Sequence, residues 1–279
     1  MAVPRLKFIA FFCIFLLSQA VSGWSVYERN QPYDHSLWDS FLKKYVNEAG
    51  EMDYAAASKD PSLLNQYLEL YSKMDVAKLN IPREEALAFW LNLYHAALVK
   101  KVLEKYPIKS ILDIPSVWDA SAIHLGNEQL SLNQIRNEKL MGTFRDEKIN
   151  VVLACTGRSC PGFKREAFTG PKVEGQLFLY AREFVNSSQN DIVPGKKKIY
   201  LSRIFKWYAK DFSLDFGQLE NDRGWSGEEF AVVSFVANYL DDAEKKDFLE
   251  RGKYKVKYLP FSWALAEWKS SGSTASQAG

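Results

Sequence analysis

The chain is poor in the side chains that carry most metal and thiol chemistry: its 279 residues include three cysteines and three histidines. No second cysteine or histidine pair stands at ligand spacing, so neither a metal site nor a cofactor is expected. Charge of one sign is also lacking. A formal net charge of +2 excludes nucleic acid as the main partner. Membrane-length apolar runs are missing too. The stretch from Phe8 to Leu17 is too short to span a bilayer, and Phe89 to Val102 is interrupted by Asn92, His95, Lys100 and Lys101.

What is present begins with a basic start (Arg5, Lys7), an apolar run and small residues at Ala20, Ser22 and Gly23, which read as a secretory signal peptide over 1–23. The expected product is a secreted protein of the extracellular space or the secretory-pathway lumen, with no transmembrane segment in the mature chain. Its composition, 47% hydrophobic and 14% aromatic, suits one globular domain over 24–268 followed by a disordered polar tail over 269–279. Removing Arg5 and Lys7 leaves no net charge, so the partner is expected to be an extracellular protein, a peptide or a small ligand. Asn186-Ser187-Ser188 is a glycosylation sequon. Lys196, Lys197 and Lys198 suit a solvated hairpin turn better than a binding patch.

Helical periodicity dominates the first half. Ser36 to Ala49 carries Leu37, Phe41, Leu42 and Tyr45, and Pro61 to Met74 repeats the pattern. The strongest helix starts at Pro82, with Glu84 and Glu85 in its first turn and Lys100, Lys101 and Lys105 near its end. Strands are expected at Ala122 to Leu125 and Gln129 to Leu132, around a Gly126-Asn127 turn, with Ser131 as the cap of a short helix. The unalternating run Val151 to Ala154 reads as a central strand covered on both faces. Helices near Val173 to Asn186 and Glu228 to Leu240, and strands at Lys197 to Leu201 and in KYKVKYLPF, complete the reading. The result is an α+β fold, a helical N-terminal half packed on a small, mostly antiparallel sheet in a single compact domain.

The chemistry-bearing candidate is INVVLACTGRSCP, Ile149 to Pro161. Cys13 leaves with the leader, so Cys155 and Cys160 remain as an even pair in an oxidising compartment, where a local disulfide is the expected state. The rival is a nucleophilic thiol, with Arg158 lowering its pKa and the backbone N–H groups of Thr156 to Ser159 receiving an oxyanion. Its base would be His95 and its orienting group Asn92, three residues apart on one flank of the strong helix. His124 and His35 have weaker claims. The aromatics of LSRIFKWYAKDF, Leu201 to Phe212, fit core packing, and Trp225 is the better exposed aromatic for the rim of a site.

Five motifs in order, FWLNLYHA, LSLNQI, VVLACTGRSCP, LSRIFKWYAKDF and VKYLPFSWAL, resemble the uncharacterised family called domain of unknown function 547 over about Pro82 to Leu265. The resemblance implies a compact mixed helix and sheet domain whose most typical feature is the cysteine loop, without a settled reaction. Cys155, Cys160, Pro161 and Asn92 are kept. A histidine usual in the family is Asn137 here, an asparagine is His95, the aspartate of a tyrosine-aspartate-tryptophan motif is Ser262, and a further asparagine is Ala266. If the family used cysteine, histidine and aspartate together, this chain has lost two of the three. Two functions follow from these residues. One is a non-catalytic domain with a degenerate thiol site that binds or serves structure. The other is a cysteine-dependent hydrolase or transferase acting on an extracellular peptide or amide.

Overall fold

The strongest helical pattern produces the longest helix, and the surrounding elements are arranged to bury it. The computed structural model describes residues 33–75, 81–216 and 225–269. Residues 1–23, expected as a leader, and nearly all of the segment 269–279, expected as a tail, lie outside these residues. The chain divides into two units, Met1–Asp34 and His35–Gly279, and the described helices and strands, Ser36 to Tyr258, belong to the second.

Helix α1 (Ser36–Tyr45) buries Trp38, Phe41, Leu42 and Tyr45, and α3 (Ser62–Ser72) buries Leu64, Tyr67 and Tyr71. Between them lies α2 (Tyr54–Lys59), capped by the Asp53 carboxylate accepting from the Ala56 N–H. Helix α4 (Arg83–Leu103) is buried continuously from Leu87 to Val99. The expected division into an apolar side and a polar flank therefore disappears, because a helix covered all round is a core helix. Asn92 and His95 must then find partners inside the protein.

Strands β1 (Ser121–Leu125) and β2 (Glu128–Ser131) form an antiparallel hairpin about Gly126. A Cβ on Gly126, which has φ +54°, would stand 2.9 Å from the Met74 carbonyl oxygen, so both its conformation and its neighbour favour glycine. Ser131 caps the next helical stretch in a reciprocal box with Gln134. That stretch covers 132–144, and its middle, Ile135–Met141, is π-helical.

The run expected as a central strand is not one. Helix α5 (Ile149–Val152) takes its first half, and Leu153 and Ala154 continue as irregular chain. All four residues from Val151 to Ala154 are buried. A short run buried on every side shows no alternation whether it is strand or helix, and four residues are too few for length to decide.

Helix α6 (Val173–Val185) leads into β3 (Asp191–Val193) and β4 (Lys198–Leu201), an antiparallel pair whose turn exposes the three lysines. Helices α7 (Arg203–Trp207), α8 (Ala209–Phe216), α9 (Gly227–Tyr239) and α10 (Ala243–Arg251) follow. Strand β5 (Lys255–Tyr258) then joins β4 in parallel, giving the order β3-β4-β5. The core beneath this sheet contains Phe184, Ile199, Phe205, Phe212 and Phe235. The architecture is α+β, with two small sheets whose pairings are mostly antiparallel. Among the described residues, no helix is long and apolar enough to cross a membrane.

Candidate functional site

Four residues separate the two cysteines, and the chain turns tightly enough between them to join their sulfurs. Their Cα atoms are 5.5 Å apart, within the usual disulfide range, and the pair is disulfide-bonded. Thr156, inside this ring, has φ +65°. A β-branched residue is rare in that region and is held there only when its surroundings insist. Here the constraint comes from the C-terminal segment, which lies along the ring. Arg158 N–H donates to the Ala264 carbonyl at 2.9 Å, and Ser159 N–H to that of Ser262 at 3.3 Å. In return Ala266 N–H donates to the Thr156 carbonyl at 2.8 Å, and Ser262 N–H to Ser159 Oγ at 2.9 Å. Gly157 is where the strands come closest: an added Cβ would meet the Ser262 carbonyl oxygen at 2.8 Å. Its N–H donates to Cys160 Sγ at 3.1 Å. The N–H groups of Gly157, Arg158 and Ser159, considered above as oxyanion donors, are thus all engaged within the protein.

Helix α4 brings His95 and Asn92 beside this loop, where both hold backbone. His95 is 6% exposed, and its Nε2 accepts the Ala154 N–H at 3.0 Å. That bond leaves the ring proton on Nδ1 and occupies the lone pair a general base would use. The ring stacks on Phe168 at 6.0 Å and meets Phe163 edge-on at 5.7 Å. Burial pushes its pKa down to about 3, so it is neutral at physiological pH. Asn92, wholly buried, clamps Phe168 at two points: its Nδ2 donates to the Phe168 carbonyl at 2.8 Å and its Oδ1 accepts the Phe168 N–H at 2.9 Å.

The other candidates are scattered. Arg158 is exposed, and its carbonyl accepts from Gln189 Nε2. His124 is exposed on β1, whereas buried His35 shares a hydrogen bond with the Tyr67 hydroxyl at 2.9 Å. Asn186 is exposed at the end of α6, but its Nδ2 donates to the Arg182 and Tyr239 carbonyls and its Oδ1 accepts the Asp241 N–H.

The disulfide separates two cavities. Cys160 lines a wide polar one of about 710 Å³, shared with Arg158, Lys164, Arg165 and Glu183. Cys155 lines a smaller one of about 260 Å³ walled by Tyr94, Trp118, Trp207, Tyr208 and Trp263. Trp207 and Trp263 stack at 5.6 Å with planes 17° apart, and Trp118 tilts against Trp263 at 6.2 Å. Burial raises the Tyr94 pKa, keeping its hydroxyl protonated. Asn133, Arg136 and Asn150 supply the polar part of the wall. The Arg136 guanidinium lies 3.8 Å over the Tyr208 ring and pairs with Asp211 at 2.7 Å. It also donates to Asn150 Oδ1 and Asn137 Oδ1. Arg136 stands in the π-helical turn, a departure from regular helix that recurs at functional sites.

Of these cleft residues the sequence marked Cys155 as chemistry-bearing, and it assigned Trp207 and Tyr208 to core packing. Phe205 is core, as the aromatic pattern suggested, yet Trp207 from the same helix is 45% exposed. Trp225, expected at a rim, packs instead on Tyr254 and Phe230. The usable signal lay in the departures from the family pattern, since Asn137 adjoins Arg136 and Ser262 adjoins Trp263.

A family model described as "Protein of unknown function, DUF547" matches residues 78–185. Over those residues the chain is similar to the DUF547 family. No curated protein and no solved structure matches it. The DUF547 segment runs from just before α4 to the end of α6 and holds Tyr94, Trp118, Arg136, Asn150 and both linked cysteines. Trp207, Tyr208 and Trp263 lie beyond it, so the cleft is closed by chain on the far side of the matched segment.

Proposed function

We propose that this protein is an exported binding domain without turnover, and that the aromatic cleft beside Cys155 is where its ligand sits. The observation that carries the reading is the engagement of every part a thiol mechanism needs. The sulfurs are joined to each other, His95 Nε2 accepts a backbone N–H, and three of the four loop N–H groups are paired. What remains is a rigid wall. The disulfide and the Ser262 to Ala266 ladder hold the cleft side of the loop in place, and pre-organised sites of this kind lose less on binding. Export, cleavage of the leader and an oxidising destination belong to the same proposal, because they keep Cys155 and Cys160 linked. The thiol-hydrolase alternative has no supporting observation.

Intact mass of the exported protein after alkylation tests this. Both cysteines are expected to label only after reduction. Rapid labelling of either one near neutral pH without reductant would reveal a low-pKa thiol and defeat the reading.

A further inference from the structure

The cleft's charge balance, size and one unsatisfied donor together narrow its ligand. Arg136 is already matched: Asp211 pairs with it at 2.7 Å and Tyr208 lies beneath it at 3.8 Å. An anion entering the cleft would compete with Asp211, whereas a cation would have to enter beside the Arg136 guanidinium. A neutral ligand meets neither obstacle. The volume, about 260 Å³, lies at the lower edge of small-molecule pockets, about 300–1,000 Å³, and suits one or two rings better than an extended peptide.

Polarity completes the description. Asn150 is 3% exposed, and Arg136 donates to its oxygen, which fixes the amide orientation. Its Nδ2 then has no partner, although a buried N–H of this kind seeks an acceptor. One Asn133 N–H is spent on Asp119 Oδ1 at 2.7 Å, while the residue itself lines the cleft. The same cleft is lined by the stacked Trp207 and Trp263 rings, the former open to solvent. A purely apolar ring would cover the tryptophans and leave the amides unanswered. We propose that the cleft binds a neutral sugar ring, its C–H face on the open Trp207 ring and its hydroxyl edge toward Asn133 and Asn150. This rests on the binding reading above and supplies its ligand class.

The test is titration of the intact exported protein with neutral disaccharides (cellobiose, chitobiose and mannobiose), followed by tryptophan emission and calorimetry. A decaproline peptide and indole serve as comparison probes. Saturable binding of at least one disaccharide is expected, weakened at least tenfold in Trp207→Ala and largely restored in Trp207→Phe, with both variants keeping the parent circular dichroism. Saturation by decaproline or indole, dependent on Trp207, with no response to any disaccharide would overturn the sugar assignment while leaving a binding cleft. No Trp207-dependent response to any probe would overturn both.

Discussion

Acidification should weaken this protein through His95, by an amount set by its burial. The pKa of His95 is pushed down to about 3 in the folded chain, against about 6.5 for an unhindered histidine. The folded state therefore binds this proton less readily than the unfolded one. The stability tied to the neutral ring is fully present above about pH 6.5 and is lost as pH falls toward about 3. Within that window each pH unit is worth about 1.4 kcal/mol, so moving from about pH 7 to about pH 4.5 removes roughly 2–3 kcal/mol. Protonating Nε2 also ends its role as acceptor for the Ala154 N–H. The assay is urea unfolding of the parent and His95→Gln proteins across this range. Glu85 acts in the opposite direction, because burial raises its pKa and acid relieves that cost. It is common to both proteins and cancels in the difference between them. The parent's advantage should shrink by roughly 2–3 kcal/mol between neutral pH and about pH 4.5. Parallel stability curves would show that His95 is not held neutral by burial and would refute the reasoning.

Asn92 and Gly157 give two further tests. Asn92→Ala deprives the buried Phe168 backbone of both a donor and an acceptor, a loss of about 2–6 kcal/mol at about 1–3 per orphaned group; unchanged thermal stability would return Asn92 to a purely functional role. Gly157→Ala places a methyl 2.8 Å from the Ser262 carbonyl oxygen, so the ladder to 262–266 must shift at a cost of about 1–3 kcal/mol. Faster limited proteolysis near Ser262 should accompany that loss, and identical cleavage rates would show that the close approach is not needed.

The elements that sequence determined are those whose signal is local. Side-chain spacing along α1, α3 and α4 follows the helical turn, the Ser131 cap needs only Gln134 three residues later, and the alternation before Tyr258 reports one wet face of β5. The pairing of Cys155 with Cys160 was legible as one of the open states because they remain as an even pair once Cys13 is set aside with the expected leader. Tertiary structure decided what depends on neighbours distant in the chain. Val151 to Ala154 lost its strand because burial on all sides erases the alternation that separates strand from helix. His95 and Asn92 became supports for backbone because the elements packed over α4 brought Ala154 and Phe168 within hydrogen-bond reach. The cleft draws Tyr94, Trp118, Arg136, Asn150, Trp207 and Trp263 from six separate stretches. No local pattern marks such residues, since a tryptophan reads alike in a core and in an open wall until packing leaves one face uncovered.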